Sequence, residues 1–190
     1  MSSEFPRFLK GKDIIIASSY RNAKHLDEVR QVSRLFSERG QEVYPPYDAE
    51  PLNIDSDFVF LGGIDQDGMK KMKIERFFLE AIKKAKLMYV VTTNGYVGHS
   101  TSVEIAYSLA VGTPTFVSEQ IRTFGNEVTP EIQSLITEHH PSVVPILGVQ
   151  QYGMGLLNFA NINENRPTLD KQERRKVFNS LLGLLRTLRD

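Results

Sequence analysis

The chain contains no cysteine, which excludes disulfides, thiolate catalysis and cysteine-based zinc sites. It has no surplus of either charge: 23 Lys and Arg balance 23 Asp and Glu. A protein built to hold duplex nucleic acid or an anionic membrane surface needs a positive field, so a zero balance argues against both partners. No apolar run approaches the ~18 residues of a membrane span. The opening MSSEFPRFLKGKD lacks the apolar centre of a signal peptide. The histidines His25, His99, His139 and His140 do not have metal-ligand spacing, and no metal or cofactor is expected. These absences predict a soluble, cytoplasmic protein. What remains is ordinary globular composition, 190 residues with 41% hydrophobic and 24% charged, which suits a single domain around one core.

Residues 1–12 read as a polar tail. Residues 13–18 are a short apolar run, as in a strand buried on both faces. Over 24–39 the positions Leu26, Val29, Val32, Leu35 and Phe36 recur at helical spacing, and Gly40 ends the pattern. Residues 42–44 form a second strand, stopped by Pro45 and Pro46. An acidic stretch follows, with Asp48, Asp65 and Asp67 among its members. The spacing then predicts a helix over 74–86, with Phe77, Phe78, Ala81, Ile82 and Ala85 inward, and the clearest strand over 87–91. Further on come a helix over 102–111 closed by Gly112, a strand over 114–117, a helix over 130–139 and a short strand over 142–146. Residues 148–167, rich in Gly, Asn and Gln, read as a loop, and 169–189 as a final amphipathic helix. Strands alternating with helices, each strand a solid apolar run, predict a doubly wound α/β protein with about five parallel strands.

In such sheets ligands bind beyond the carboxyl ends of the strands, where the strand order reverses. For a 2-1-3-4-5 order, that crevice lies between the loops after the first and third strands. The first loop offers Ser18, Ser19, Arg21 and Asn22 beside a helix start, a combination suited to an anion and equally to capping the helix. The second runs through Asn94, Gly95, Tyr96, Gly98, His99, Ser100 and Thr101, its glycines permitting tight turns or close approach to a ligand. It leads into Thr101-x-x-Glu104, the pattern of a capping box. On spacing alone, Glu104 reads as the box's reciprocal carboxylate. The functional alternative sets it on the first helical turn as a nucleophile or base. No GxxxxGK[ST] phosphate loop is present, and Gly98-His99-Ser100-Thr101-Ser102 lacks the second glycine of a hydrolase nucleophile elbow.

The segment from Tyr89 through Glu104 to Tyr107, followed by Gly112-Thr113-Pro114, resembles the signature of the nucleoside 2-deoxyribosyltransferase superfamily. The Ser19-Tyr20-Arg21-Asn22 loop fits it as well, and the resemblance spans roughly residues 13–120. It implies a flavodoxin-like or Rossmann-like fold and cleavage or transfer at the N-glycosidic bond of a nucleoside or nucleotide. It further implies that Glu104 attacks the anomeric carbon to form a glycosyl-enzyme intermediate, that Tyr20 positions this carboxylate, and that Arg21, Ser19 and Ser100 hold a 5-phosphate. The chain also departs from the pattern. Phe78 stands where the transferases carry an aspartate, and Lys86 replaces a common aspartate at the end of the same helix. The group that protonates the leaving base is therefore unassigned. Glu75 and Asp65 are candidates, each of which taken singly reads as a solvated surface carboxylate.

The competing reading is a non-catalytic nucleotide-binding or sensing module, in which Glu104 only caps its helix. The apolar stripe of the final helix, together with the resemblance, predicts a homodimer or larger assembly. In it Asn158, Asn161 and Asn163 would complete a neighbour's pocket.

Overall fold

The computed structural model describes residues 11–19, 23–51, 61–62, 71–162 and 169–188. The segment 1–10, the first-loop residues Tyr20, Arg21 and Asn22, the acidic candidate Asp65, and Asn163 lie outside the described residues. In chain order the elements are β1 (Ile14–Ser18), α1 (Ala23–Ser37), β2 (Val43–Tyr44), β3 (Glu50–Pro51), β4 (Leu61–Gly62), α2 (Lys71–Lys84), β5 (Leu87–Val91) and β6 (Tyr96–Val97). They continue with α3 (His99–Val111), β7 (Thr115–Val117), β8 (Thr123–Phe124), α4 (Pro130–His139), β9 (Ser142–Val143), α5 (Ile146–Ile162) and α6 (Lys171–Thr187).

Five strands form one parallel sheet in the order β2-β1-β5-β7-β9. This is the doubly wound, flavodoxin-like order expected from the alternation of elements. At its centre β1 and β5 pair residue for residue, from Ile14 beside Leu87 to Ser18 beside Val91. Every residue of both strands is buried, because helices cover the two faces; a strand with no wet face has no reason to alternate with polar residues. Ile14, Ile16, Leu87, Tyr89 and Val91 pack with α1 and α5, while Ile15, Ala17, Met88 and Val90 pack with α2, α3, α4 and α6. The side-chain period of two along a strand produces that division.

The chain therefore leaves β1 into a helix on one face and leaves β5 into a helix on the other. The strand order reverses between them, and the crevice opens at their carboxyl ends. α2 leads into the start of β5, and α3 departs from its end. Both helices consequently have their N-termini at the crevice edge of the sheet. Two further ladders, β3 with β4 and β6 with β8, are two residues per strand, too short to leave a periodic signal.

Residues 148–167 do not form the expected loop. Residues 148–162 belong to α5, and 163–167 lie outside the described residues. Val149, Leu156 and Leu157 are buried with Val29, Val32 and Phe36 of α1, and their i, i+7, i+8 spacing is a helical stripe. The amides and glycines that suggested a loop, Gln150, Gln151, Gly155 and Asn158, occupy its exposed side. Arg39 ties the pair of helices together, donating to the carbonyls of Leu35 and Gln150. The final helix begins at Lys171 under a complete capping box. Asp170 Oδ1 accepts from the N–H groups of Gln172 and Glu173 at 2.7 and 2.8 Å, and Glu173 accepts from Asp170 N–H at 2.7 Å. No helix among the described residues is long and apolar enough to cross a membrane.

Candidate functional site

The two loops at the crevice are fastened to each other before any ligand is considered. Ser18 Oγ donates to the Val91 carbonyl at 3.1 Å, closing the ends of β1 and β5. Ser19 Oγ accepts from the Gly98 N–H at 2.8 Å, and the Ser19 carbonyl meets His25 Nδ1 at 2.5 Å. From α1, Glu28 accepts from Thr93 Oγ1. On the far side, the Thr92 N–H donates to Ser118 Oγ at 2.8 Å and Thr92 Oγ1 to the Glu119 carbonyl at 2.8 Å. These bonds fix the floor of the crevice. Ser18 and Ser19, both named from sequence as ligand contacts, are engaged in that structural role.

Gly95 also answers to the protein's own backbone. It sits at φ +69°, and a Cβ there would lie 2.5 Å from the Gln120 carbonyl oxygen. Asn94 beside it is exposed, with φ of 57°, and Tyr96 is half-buried in β6, paired with Thr123.

Helix α3 begins at His99, three residues earlier than its spacing predicts. Gly98 is the N-cap in an extended conformation, and the Ser102 N–H already bonds its carbonyl at 2.9 Å. Thr101 is thus the third helical residue and Glu104 the sixth. The expected capping box, with Glu104 on the first turn, is overturned: both residues lie within the helix, and no side chain caps it. Gly98 has no side chain to offer, and its closeness explains why: a Cβ would come within 3.0 Å of Ser19 Oγ. The first-turn N–H groups, beside half-buried His99 and Ser100 and buried Thr101, therefore face the crevice edge without a side-chain cap.

One turn further in, Glu104 is 7% exposed and Glu75 on α2 is 3% exposed. Glu75 is the fifth residue of α2, and Glu104 the sixth of α3. Two adjacent helices that start at the same edge thus carry these carboxyls near enough for the Glu75 charge to act on Glu104. Burial pushes the Glu75 carboxyl up to about 7. Burial also raises Glu104 well above the usual range, with the Glu75 charge adding to the effect. Desolvation dominates, and the two like charges oppose each other's ionisation. At neutral pH the pair behaves as a unit that keeps a proton.

Comparison with protein-family models, with curated proteins and with solved structures finds no match.

Glu75 is the site residue that sequence reasoning undervalued, since it is buried and not a solvated surface carboxylate. A signal for it exists. Glu75, Leu79 and Ile82 follow i, i+4, i+7 spacing on α2 and all three are buried, so Glu75 stands on the apolar stripe. Phe78 lies instead against Tyr44, ring centroids 5.7 Å apart. Lys86 is at the opposite end of the sheet, paired with Asp13 at 2.9 Å, and takes no part in the site. Asn158 is exposed on α5, a helix of the α1 face.

Proposed function

We propose that this protein cleaves or transfers the N-glycosidic bond of a nucleoside or nucleoside monophosphate, with Glu104 as the nucleophile. The observation that carries the reading is the Glu104 carboxyl itself. It has no capping duty, it lies at the crevice end of the sheet, and it is desolvated beside a second carboxyl. A carboxylate so situated stabilises the positive, oxocarbenium-like sugar and then traps it as a glycosyl ester. Water releases the sugar, or a second base accepts it. The resemblance of the Tyr89–Tyr107 segment to the nucleoside 2-deoxyribosyltransferase superfamily supports the same chemistry.

The uncapped N-terminus of α3 suits an anion. With Arg21 and Ser100 it is the proposed seat of a 5-phosphate, and Tyr20 is the proposed positioning residue for Glu104. The protein is proposed to act in the cytoplasm and as a homodimer. Exposed Phe178 and Leu182 on α6 support the dimer. The alternative is a binding-only module in which Arg21 and the two loops hold a phosphate; the capping role it gave Glu104 does not fit a helix that starts at His99.

The test is incubation with a panel of nucleosides and their monophosphates, followed by chromatography for free base. Base release is expected from at least one of them, and its loss is expected in Glu104→Gln. An active Glu104→Gln protein would overturn the mechanism.

A further inference from the structure

The pair of buried carboxyls raises the question of which group gives a proton to the departing base. A base that leaves as an anion is a poor leaving group, and general acid assistance commonly supplies ~10²- to 10⁴-fold in rate. We propose that Glu75 is this acid, which deepens the glycosidic reading above and rests on it.

The geometry of the two helices carries the proposal. α2 and α3 both begin at the crevice edge, and Glu75 and Glu104 sit on their second turns. Glu75 stands on a stripe with Leu79 and Ile82, and its Oε1 atom is buried with no hydrogen-bond partner among the described residues. No salt bridge among the described residues ends on Glu75. A buried carboxyl with an orphaned oxygen and no salt bridge among the described residues is costly to ionise, so Glu75 favours the protonated form an acid needs. Burial pushes the Glu75 carboxyl up, which reinforces that state. An orphaned buried polar atom in a native structure calls for a reason, and a leaving base nitrogen would be the missing partner of Glu75.

The step balances. The bond from C1′ to the base nitrogen breaks, and its electron pair stays with the base, which takes the Glu75 proton. A Glu104 oxygen bonds to C1′, giving the glycosyl ester and an ionised Glu75. Water then attacks C1′, its proton passes to Glu75, and Glu104 leaves as the carboxylate. The sum is nucleoside plus water to free base plus sugar, with both glutamates restored.

The experiment compares two leaving groups on the same sugar: the nucleoside, and a glycosyl fluoride whose fluoride departs without a proton. Wild type, Glu75→Gln and Glu104→Gln are assayed on both, with thermal unfolding to confirm that each variant is folded. The expected result is that Glu75→Gln loses ~10²-fold or more in single-turnover base release from the nucleoside yet stays within a few-fold of wild type in single-turnover fluoride release, the water-attack step being common to both substrates. Glu104→Gln is expected to lose both. Glu75→Asp, which keeps a carboxyl, is expected to recover part of the nucleoside activity. Equal loss on the two substrates, or none on either, would overturn the role of Glu75 while leaving Glu104 as nucleophile. A wild-type protein that cleaves neither substrate would overturn the glycosidic reading and this proposal with it.

Discussion

At the scale of single residues, Glu75 stands out because folding takes it out of water with no salt bridge to it among the described residues. Its carboxyl moves from about 4.5 when unfolded to about 7 in the folded protein. The native state therefore binds more protons than the unfolded state across that interval. The contribution to stability is present in full below pH 4.5 and is lost as pH rises through about 7. For one group shifted this far the loss is on the order of 3 kcal/mol, and Glu104 adds to it with the same sign. Denaturant unfolding at pH 5 and pH 8 checks this. Wild type should be the less stable at pH 8, and Glu75→Gln should narrow the difference by gaining stability at pH 8 more than at pH 5. A wild-type protein equally stable at both values would contradict the burial of these carboxyls.

At the scale of elements, the start of α3 takes the capping role away from Glu104. The one complete capping box among the described helices with assigned caps belongs to α6, where Asp170 and Glu173 exchange bonds at both helix-end N–H positions. Asp170→Ala should therefore cost ~1 kcal/mol of stability with base release unchanged. Glu104→Gln, which removes no cap, should cost no stability while abolishing base release. Parallel unfolding curves and assays of the two variants make the comparison. If Glu104→Gln is destabilised as Asp170→Ala is, Glu104 belongs to the helix and not to the chemistry. The same elements show what the sequence made legible. β1 and β5 were readable because a strand buried on both faces leaves an apolar run with no competing pattern. α4 was readable because Pro130 opens it, and its expected span matches the observed one. The start of α3 was not, because Thr101 and Glu104 mimic a box while the actual cap, Gly98, carries no side-chain signal. α5 was hidden because its buried anchors are few and widely spaced among glycines and amides. Glu75 was visible by position on the α2 stripe, but its charge suggested solvent.

At the scale of the whole molecule, the parallel sheet reverses its winding between β1 and β5. Among the described residues, Glu104, Glu75 and the open N-terminus of α3 lie toward that edge. The final helix buries Val177, Leu181 and Leu184 against the core but leaves Phe178 46% and Leu182 53% exposed. A second copy covering those two side chains is the expected occupant, and light scattering should give twice the 21.6 kDa chain mass. A clean monomer mass at micromolar concentration would remove the dimer without touching the chemistry. The proposed chemistry stands on one covalent bond, between Glu104 and the sugar. Rapid acid quenching during turnover of a nucleoside that releases base, followed by peptide mass analysis, looks for that bond directly. The expected result is a glycosyl adduct on the peptide carrying Glu104 in the wild-type protein and none in Glu104→Gln. Sustained base release with no adduct on that peptide, and with Glu104→Gln still active, would contradict it.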